Sequence, residues 1–267
     1  MSLFPSALPH VTRMGLVLLV GAIVVFYVLL VCFIRVSGYA ANRFWSGKLV
    51  DGVNAPLPIR LPPSAGGLFA LSVLFLLFLQ SPLYYLMVVG GIGLYLLESG
   101  KNASEQFGLE RLPATTLLKW SLLIYGAVIF IEIPLNGVVQ VVFSAIHLPN
   151  PEQQSVVAFR QFNKASQIFN FLLYAVVISP LIEELFFRGF LQTFLKNYTS
   201  TWFALVLSAG VFAFAHVNLG STIQLWFLGL ALGIAYEHTG ALLLPVGIHG
   251  CFNLATALSL LLEKGTS

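Results

Sequence analysis

The sequence predicts an all-α, polytopic membrane protein with about eight transmembrane helices, since each crossing needs about 20 apolar residues. Of its 267 residues, 58% are hydrophobic and 9% are charged, whereas about a quarter of the residues of a soluble domain are charged. The mean hydropathy is +0.91. The apolar runs are continuous rather than alternating, which argues against membrane-spanning strands. We therefore expect one integral membrane domain without a separate soluble part.

The N-terminal part, residues 1–164, is expected to hold transmembrane helices and loops. An apolar run over residues 14–34 predicts the first span, retained because it is longer than the core of a signal peptide. Residues 68–97 contain Gln-Ser-Pro at 80–82 near their middle. This run predicts two short spans that meet in a tight turn, and one broken span is the alternative.

The second half of this N-terminal part carries the longest predicted loops. Residues 98–112 and 147–164 are polar and predict loops, while residues 117–146 predict a span that Pro134 kinks or divides. Glu132 lies in this span as a single acid next to the proline. We expect it near a membrane interface or in a local hydrogen bond rather than in a substrate path.

The C-terminal part, residues 165–267, is predicted to be the catalytic helical core. Its apolar runs cover residues 167–196, 202–217, 223–236 and 242–262, separated by short turns rich in Asn, Ser, Thr and Gly. Short connections predict that consecutive helices are antiparallel neighbours.

Three charged residues, Glu183, Glu184 and Arg188, interrupt the first of these runs. A charge at the bilayer centre costs about 3 kcal/mol or more, so these residues need partners. Glu184 and Arg188 are four apart and share a helix face, which predicts a structural ion pair. Glu183 is rotated by about 100° and is free for chemistry. The alternative, charges at the membrane surface, is disfavoured because apolar residues continue to Leu195.

Polar residues recur in the following spans as His216, His249 and Asn253. Counting about 1.5 Å per residue from the turns places them at one depth with Glu184. A lone intramembrane histidine or asparagine usually packs or bonds to another helix. Their convergence from neighbouring helices instead predicts a shared, hydrated cavity.

These residue types suit the hydrolysis of a peptide or amide bond. Glu183 beside neutral His216 is suited to deprotonate water, while His249 and Asn253 are suited to donate hydrogen bonds to an oxyanion. Glu183, His216 and His249 also match zinc ligation, although the His-Glu-x-x-His motif is absent. The preferred hypothesis requires no cofactor, and zinc is left open.

Other features limit the function classes and partners. The net charge of +3 comes without a dense basic cluster, so no nucleic acid partner is expected. Cys32 and Cys251 lie in apolar runs and do not form a secreted disulfide framework. Lys and Arg cluster in the loops after the first and third spans, which places the polar layer nearer the exterior. The expected partners are membrane lipid and a peptide or membrane-protein substrate.

Three motifs occur in a fixed order: Glu183-Glu184-x-x-x-Arg188, Phe212-x-x-x-His216 and His249-x-x-x-Asn253. With these three motifs, the C-terminal part resembles the type II CAAX prenyl endopeptidases and their bacterial relatives. These relatives form the CPBP or Abi family of intramembrane proteases. The resemblance implies an eight-helix membrane endopeptidase, in a bacterial inner membrane, whose catalytic set includes both glutamates.

The same resemblance implies individual roles. Glu183 and His216 would activate water, with Phe212 packing to orient the imidazole. His249 and Asn253 would stabilise the oxyanion. Relatives have been described both as glutamate proteases and as metalloproteases, so both types stay open.

Two other functions use the same polar cluster. A transporter or cation-binding channel would bind protons or metal ions there, although no internal repeat of the kind common in transporters is evident. An inactive membrane scaffold is the third hypothesis.

Overall fold

A computed structural model describes residues 56–148 and 152–266, and within these ranges the chain is helical without strands. The predicted all-α class is thereby confirmed for this part of the chain. Its helices are α1 Pro63–Phe78, α2 Leu83–Ser99, α3 Ala103–Phe107, α4 Ala114–Ala145, α5 Gln154–Arg160, α6 Ala165–Leu195, α7 Thr201–Ala215, α8 Thr222–Thr239 and α9 Leu243–Thr266, with a 3₁₀ turn at Leu219–Ser221 before α8.

Four helical stretches are long and apolar enough to cross a membrane: α4, α6, α8 with its 3₁₀ turn, and α9. The apolar helices α1, α2 and α7 are shorter. These helices support the prediction of an integral membrane protein. The predicted first span, 14–34, lies outside the described residues, so the count of eight stays a prediction, as does the division of the chain at residue 164.

The turn between α1 and α2 confirms that residues 68–97 form two helices rather than one. Gln80 adopts a left-handed backbone with φ 53°. The N–H of Ser81 then returns to the carbonyl of Leu76 at 2.9 Å, and Pro82 precedes the first residue of α2. The sequence Gln-Ser-Pro therefore ends one helix and starts the next.

The two predicted loops are partly helical, and the possible division of α4 is wrong. α4 runs unbroken through Pro134, because a proline removes one N–H donor but leaves the other helical bonds in place. α3 lies in one predicted loop, where the side chain of Asn102 accepts from the N–H of Glu105 at 2.7 Å. α5 lies in the other and is tied to α9 by Arg160 and Glu263, 2.9 Å apart.

Glu132 is buried in the helical bundle. It lies on the buried face of α4 with Val128 and Leu135. Its side chain carries one oxygen, Oε1, that is buried without a hydrogen-bond partner among the described residues. This oxygen therefore has no local hydrogen bond among the described residues, while the place of Glu132 relative to a membrane interface stays a prediction.

α6 runs parallel to α8, and their contacts repeat every four residues. The matched pairs are Arg188 with Gly229, Gln192 with Gly233, and Lys196 with Glu237. α7 packs against α8 on another side, where a Cβ added to Gly229 would lie 3.1 Å from Ala209. Small residues thus let the three helices approach closely, as is common between membrane helices.

Phenylalanines of α6 form the apolar core that holds this helix in place. Phe186, Phe190 and Phe194 follow one another along the helix with ring centroids 5.9 and 5.5 Å apart. Phe69 of α1 meets the Phe190 ring edge-on at 4.7 Å. The acidic residues of α6 are thereby carried on a helix that is buried over most of its second half.

Candidate active site in the helical core

The acidic residues lie on a short α-helical unit, Ser179–Glu184, between two π-helical segments of α6, Tyr174–Ile178 and Leu185–Gln192. Pro180 has no N–H, so the carbonyl of Val176 loses its usual partner four residues ahead. This loss favours the wider π turn, and such turns are frequent at functional sites.

Glu184 and Arg188 form the ion pair that their spacing predicts. Oε1 of Glu184 lies 2.8 Å from Nη1 of Arg188, and the side chains are 0% and 1% exposed. Nη2 of Arg188 donates to the carbonyl of Gly229 at 3.0 Å. The guanidinium also lies 4.6 Å from the centre of the Phe212 ring. The pair therefore joins α6, α7 and α8.

His249 of α9 approaches the same carboxylate. Its Nδ1 lies 2.9 Å from Oε1 of Glu184, and the imidazole is buried. Because an ionised carboxylate only accepts, Nδ1 carries the proton and donates. The other ring nitrogen, Nε2, is directed to Glu183, 4.0 Å from its Oε2.

His216 follows the last residue of α7 and is fixed by that helix. Its Nδ1 lies 2.8 Å from the carbonyl oxygen of Phe212, so Nδ1 is the protonated nitrogen. The Phe212 ring meets the imidazole edge-on, with centroids 4.8 Å apart. The remaining nitrogen, Nε2, lies 3.9 Å from Oε2 of Glu183.

The Nε2 atoms of His216, at the end of α7, and His249, on α9, therefore converge on Oε2 of Glu183, on α6. This oxygen is buried and has no hydrogen-bond partner among the described residues. In neutral His216 the facing Nε2 is also an acceptor, and two acceptors need a donor between them. A water about 2.8 Å from both atoms would subtend an angle of about 90° between them, within reach of its own bond angle. The geometry therefore suits a water held for deprotonation.

The same three residues do not fit a zinc ion as they are placed. Ligand atoms of a tetrahedral zinc site lie about 3.4 Å apart for bonds of about 2.1 Å. Here the separations from Oε2 of Glu183 are 3.9 and 4.0 Å. Within the part of the chain that the structure describes, no group of three or more His, Cys, Asp or Glu is arranged to hold a metal ion.

Asn253 is placed differently from the other predicted site residues. It lies one helical turn after His249 on α9, but its Nδ2 donates to the carbonyl of Ala175 at 2.7 Å. That carbonyl belongs to the first π segment of α6. Gly250 permits the close approach, because an added Cβ would lie 2.8 Å from the carbonyl oxygen of Val176. Asn253 thus anchors α9 to α6.

Sequence reasoning missed one polar contact to Glu183 from its other side and the residue that supports this contact. The hydroxyl of Ser179 donates to Oε1 of Glu183, and Tyr85 of α2 lies 3.2 Å from that hydroxyl. The i, i+4 spacing of Ser179 and Glu183 is a signal of the kind that identified the Glu184 pair. The position of Tyr85 depends on tertiary packing and has no comparable local signal.

Comparisons with known proteins find matches in the C-terminal part of the chain. Residues 164–255 match the family model described as "Type II CAAX prenyl endopeptidase Rce1-like", which confirms the resemblance drawn from the motifs. A segment of 83 residues is 37% identical to an uncharacterized 24.3 kDa protein of Escherichia coli, covering 29% of this chain and 38% of that protein. No solved structure shows a significant match.

Proposed function

We propose that this membrane protein is an intramembrane endopeptidase, and the match of residues 164–255 to the Rce1-like CAAX prenyl endopeptidase model supports this proposal. The observation that carries the proposal is the convergence of two imidazole nitrogens on the unpartnered Oε2 of Glu183, at 3.9 and 4.0 Å. A carboxylate and an imidazole around one water are the parts of a general-base hydrolase.

In the proposed reaction, the water oxygen attacks the scissile carbonyl while Glu183 removes a proton from the water. Nε2 of His216 accepts the second water proton in a hydrogen bond and so directs a lone pair at the substrate. Glu183 then transfers its proton to the leaving amine, which restores the carboxylate. No metal takes part in these steps.

The oxyanion that forms would be stabilised from α9. With both ring nitrogens protonated, His249 donates through Nε2 while Nδ1 stays bonded to Glu184. The charges of Glu183, Glu184, Arg188 and His249 then sum to zero, which favours their burial together. Asn253 uses one amide hydrogen on Ala175, and its second hydrogen is the further donor that we assign to the oxyanion.

Access to the site supports this assignment of roles. The side chains of His216 and Glu183 are 25% and 13% exposed, while those of His249 and Glu184 are 3% and 0% exposed. Glu183 and His216, which activate the water, thus lie at the accessible side. Glu184 lies behind them, and His249 connects the two carboxylates. The substrate we propose is a membrane-associated peptide or membrane-protein segment, cleaved in the bacterial cell membrane.

The proposal is tested by peptide cleavage in proteoliposomes. Wild-type protein should cleave members of a quenched-fluorescent peptide library, and Glu183→Gln should lower kcat by about 10²- to 10⁴-fold, the usual contribution of a general base. Glu237→Gln is the matched control, since Glu237 is a partly buried acid whose partners are Lys196 and Gln192. Equal cleavage by wild type and Glu183→Gln would remove Glu183 as the base.

A cation-binding transporter or channel is the second candidate, because a carboxylate and two imidazoles inside a membrane helix bundle are also the groups that bind and release protons. A proteoliposome ion flux that is lost in His216→Ala, without peptide cleavage by wild type, would favour it. An inactive scaffold predicts neither cleavage nor flux.

A further inference from the structure

A row of hydroxyl groups leads from the surface of the described helices to the carboxylate of Glu183. Tyr174 bonds to Tyr85 through their hydroxyls, and their rings meet edge-on with centroids 5.6 Å apart. The hydroxyl of Tyr85 lies 3.2 Å from Oγ of Ser179. Ser179, which is buried, donates to Oε1 of Glu183. We call Tyr174, Tyr85 and Ser179 the hydroxyl chain.

Counting protons fixes the direction of the hydroxyl chain. Each hydroxyl has one proton, and an ionised carboxylate only accepts. The proton of Ser179 is used on Glu183, so Tyr85 must donate to Ser179. The proton of Tyr85 is then used as well, so Tyr174 must donate to Tyr85. Every donor in the hydroxyl chain therefore points towards ionised Glu183.

This arrangement decides which way the carboxylate faces. The two oxygens of a carboxylate lie in one plane, so a hydrogen bond that fixes Oε1 also fixes the direction of Oε2. Oε2 is the oxygen that faces His216 and His249. Without a donor on Oε1, the carboxylate of Glu183 is free to rotate and to take Oε2 out of the position where it reaches the water.

We propose that Ser179 and Tyr85 are positioning residues that hold Glu183 in the orientation required for catalysis. The inference rests on the proposed function and deepens it. It also gives the N-terminal helices a part in the site, because Tyr85 belongs to α2, outside the segment 164–255 that matches the family. The catalytic unit thus extends beyond the matched segment by a contact across two helices.

The test compares steady-state kinetics of hydroxyl deletions on a peptide that wild type cleaves. Ser179→Ala should lower kcat by about 10- to 100-fold, the scale of a small misplacement of a reacting group, with KM unchanged because the base does not bind the ground state. Ser179→Thr keeps the hydroxyl and should restore most of the rate. Tyr85→Phe, which leaves Ser179 in place, should lower kcat by about 2- to 10-fold.

Two matched controls separate positioning from general packing. Ser208→Ala removes another buried hydroxyl, which donates to the carbonyl of Phe187 at 3.0 Å. Tyr198→Phe removes a tyrosine hydroxyl bonded to the carbonyl of Leu61 at 3.1 Å. Neither contacts Glu183, so both should keep the wild-type kcat, whatever they do to thermal stability.

Thermal unfolding supplies a readout that needs no substrate. Shifts of the unfolding midpoint in Ser179→Ala and Glu183→Ala should be non-additive in the double variant, because each change removes one partner of the same contact. Additive shifts, or a Ser179→Ala variant with wild-type kcat and KM, would overturn the inference while leaving the endopeptidase proposal intact. A wild-type protein that cleaves no peptide would overturn both. If Ser179→Ala does not fold, Tyr85→Phe gives the decision, and a wild-type kcat in that variant would overturn the inference.

Discussion

The buried ion pair gives the sharpest stability prediction. Arg188→Met keeps the aliphatic stem but removes the guanidinium that bonds to Glu184 and Gly229. Glu184 is 0% exposed and its second oxygen already lacks a partner among the described residues. The change therefore leaves a buried carboxylate with only the hydrogen bond from His249.

The expected magnitude follows from that loss. Breaking a buried pair by removing one partner costs about 3–5 kcal/mol, because the other charge stays buried without compensation. At about 2–4 °C per kcal/mol for a chain of this size, the unfolding midpoint should fall by about 6–20 °C. In Glu184→Gln with Arg188→Met, no net charge stays buried, so at least half of the loss should be recovered.

The assay is thermal unfolding of the purified protein in one detergent, followed by intrinsic fluorescence. Arg160→Met is the matched control, because Arg160 bonds to Glu152 and Glu263 with all three side chains more than a third exposed. Such exposed pairs contribute little, and the midpoint should move by less than about 3 °C. If Arg188→Met is no more destabilising than Arg160→Met, or if the double variant is no better than the single, the argument from burial is wrong.

Three further predictions follow from single contacts. Gly250→Ala would place a Cβ 2.8 Å from the carbonyl oxygen of Val176, so kcat should fall as α9 moves away from α6. Gly137→Ala is the control, because Gly137 has open space around it, and it should keep the wild-type rate. Equal kcat values for the two variants would contradict the close approach. Glu132→Leu removes a buried oxygen that has no hydrogen-bond partner among the described residues. Such an unsatisfied oxygen costs about 1–3 kcal/mol of stability, so the unfolding midpoint should stay equal or rise. A clear fall would mean that Glu132 has a stabilising partner. Chelators should leave peptide cleavage unchanged and no stoichiometric zinc should co-purify, whereas zinc retained through purification and lost in His216→Ala would establish a metal site.

Local spacing predicts the part of the site that lies within one helix. Glu184 and Arg188 pair across four residues, as two side chains on one helix face do. Glu183, one residue earlier, turns away from that pair towards α7 and α9. Counting residues from the turns also indicates that His216 and His249 reach the same depth, because the rise of a helix is constant.

Contacts between helices are less accessible to sequence reasoning. The bond from His249 to Glu184 and the approach of Tyr85 to Ser179 depend on how α9 and α2 pack against α6. Asn253 bonds to the carbonyl of Ala175, which lies in the π segment before Pro180. In that segment the N–H of Ser179 bonds to the carbonyl of Tyr174, which leaves the carbonyl of Ala175 available. A proline signals such a disturbance but does not tell which neighbouring side chain will use it.

Short helices and the surroundings of a buried acid are the features that the sequence reveals least. α3 and α5 have five and seven residues, too few for a hydrophobic period to be recognised. The sequence predicts Glu132 near an interface or in a local hydrogen bond, because it is a single acid next to a proline. Its burial on α4 depends on the packing of neighbouring helices, which its position next to Pro134 does not reveal.

The most direct test of the central claim, that Glu183 activates water instead of attacking the substrate itself, is a single turnover in H₂¹⁸O. Wild-type protein in excess over a cleavable peptide should place ¹⁸O in the new carboxyl group of the product, and mass spectrometry of the digested enzyme should find none in the segment that contains Glu183. Incorporation of ¹⁸O into Glu183 would show that the carboxylate forms a covalent bond to the substrate and would contradict the account.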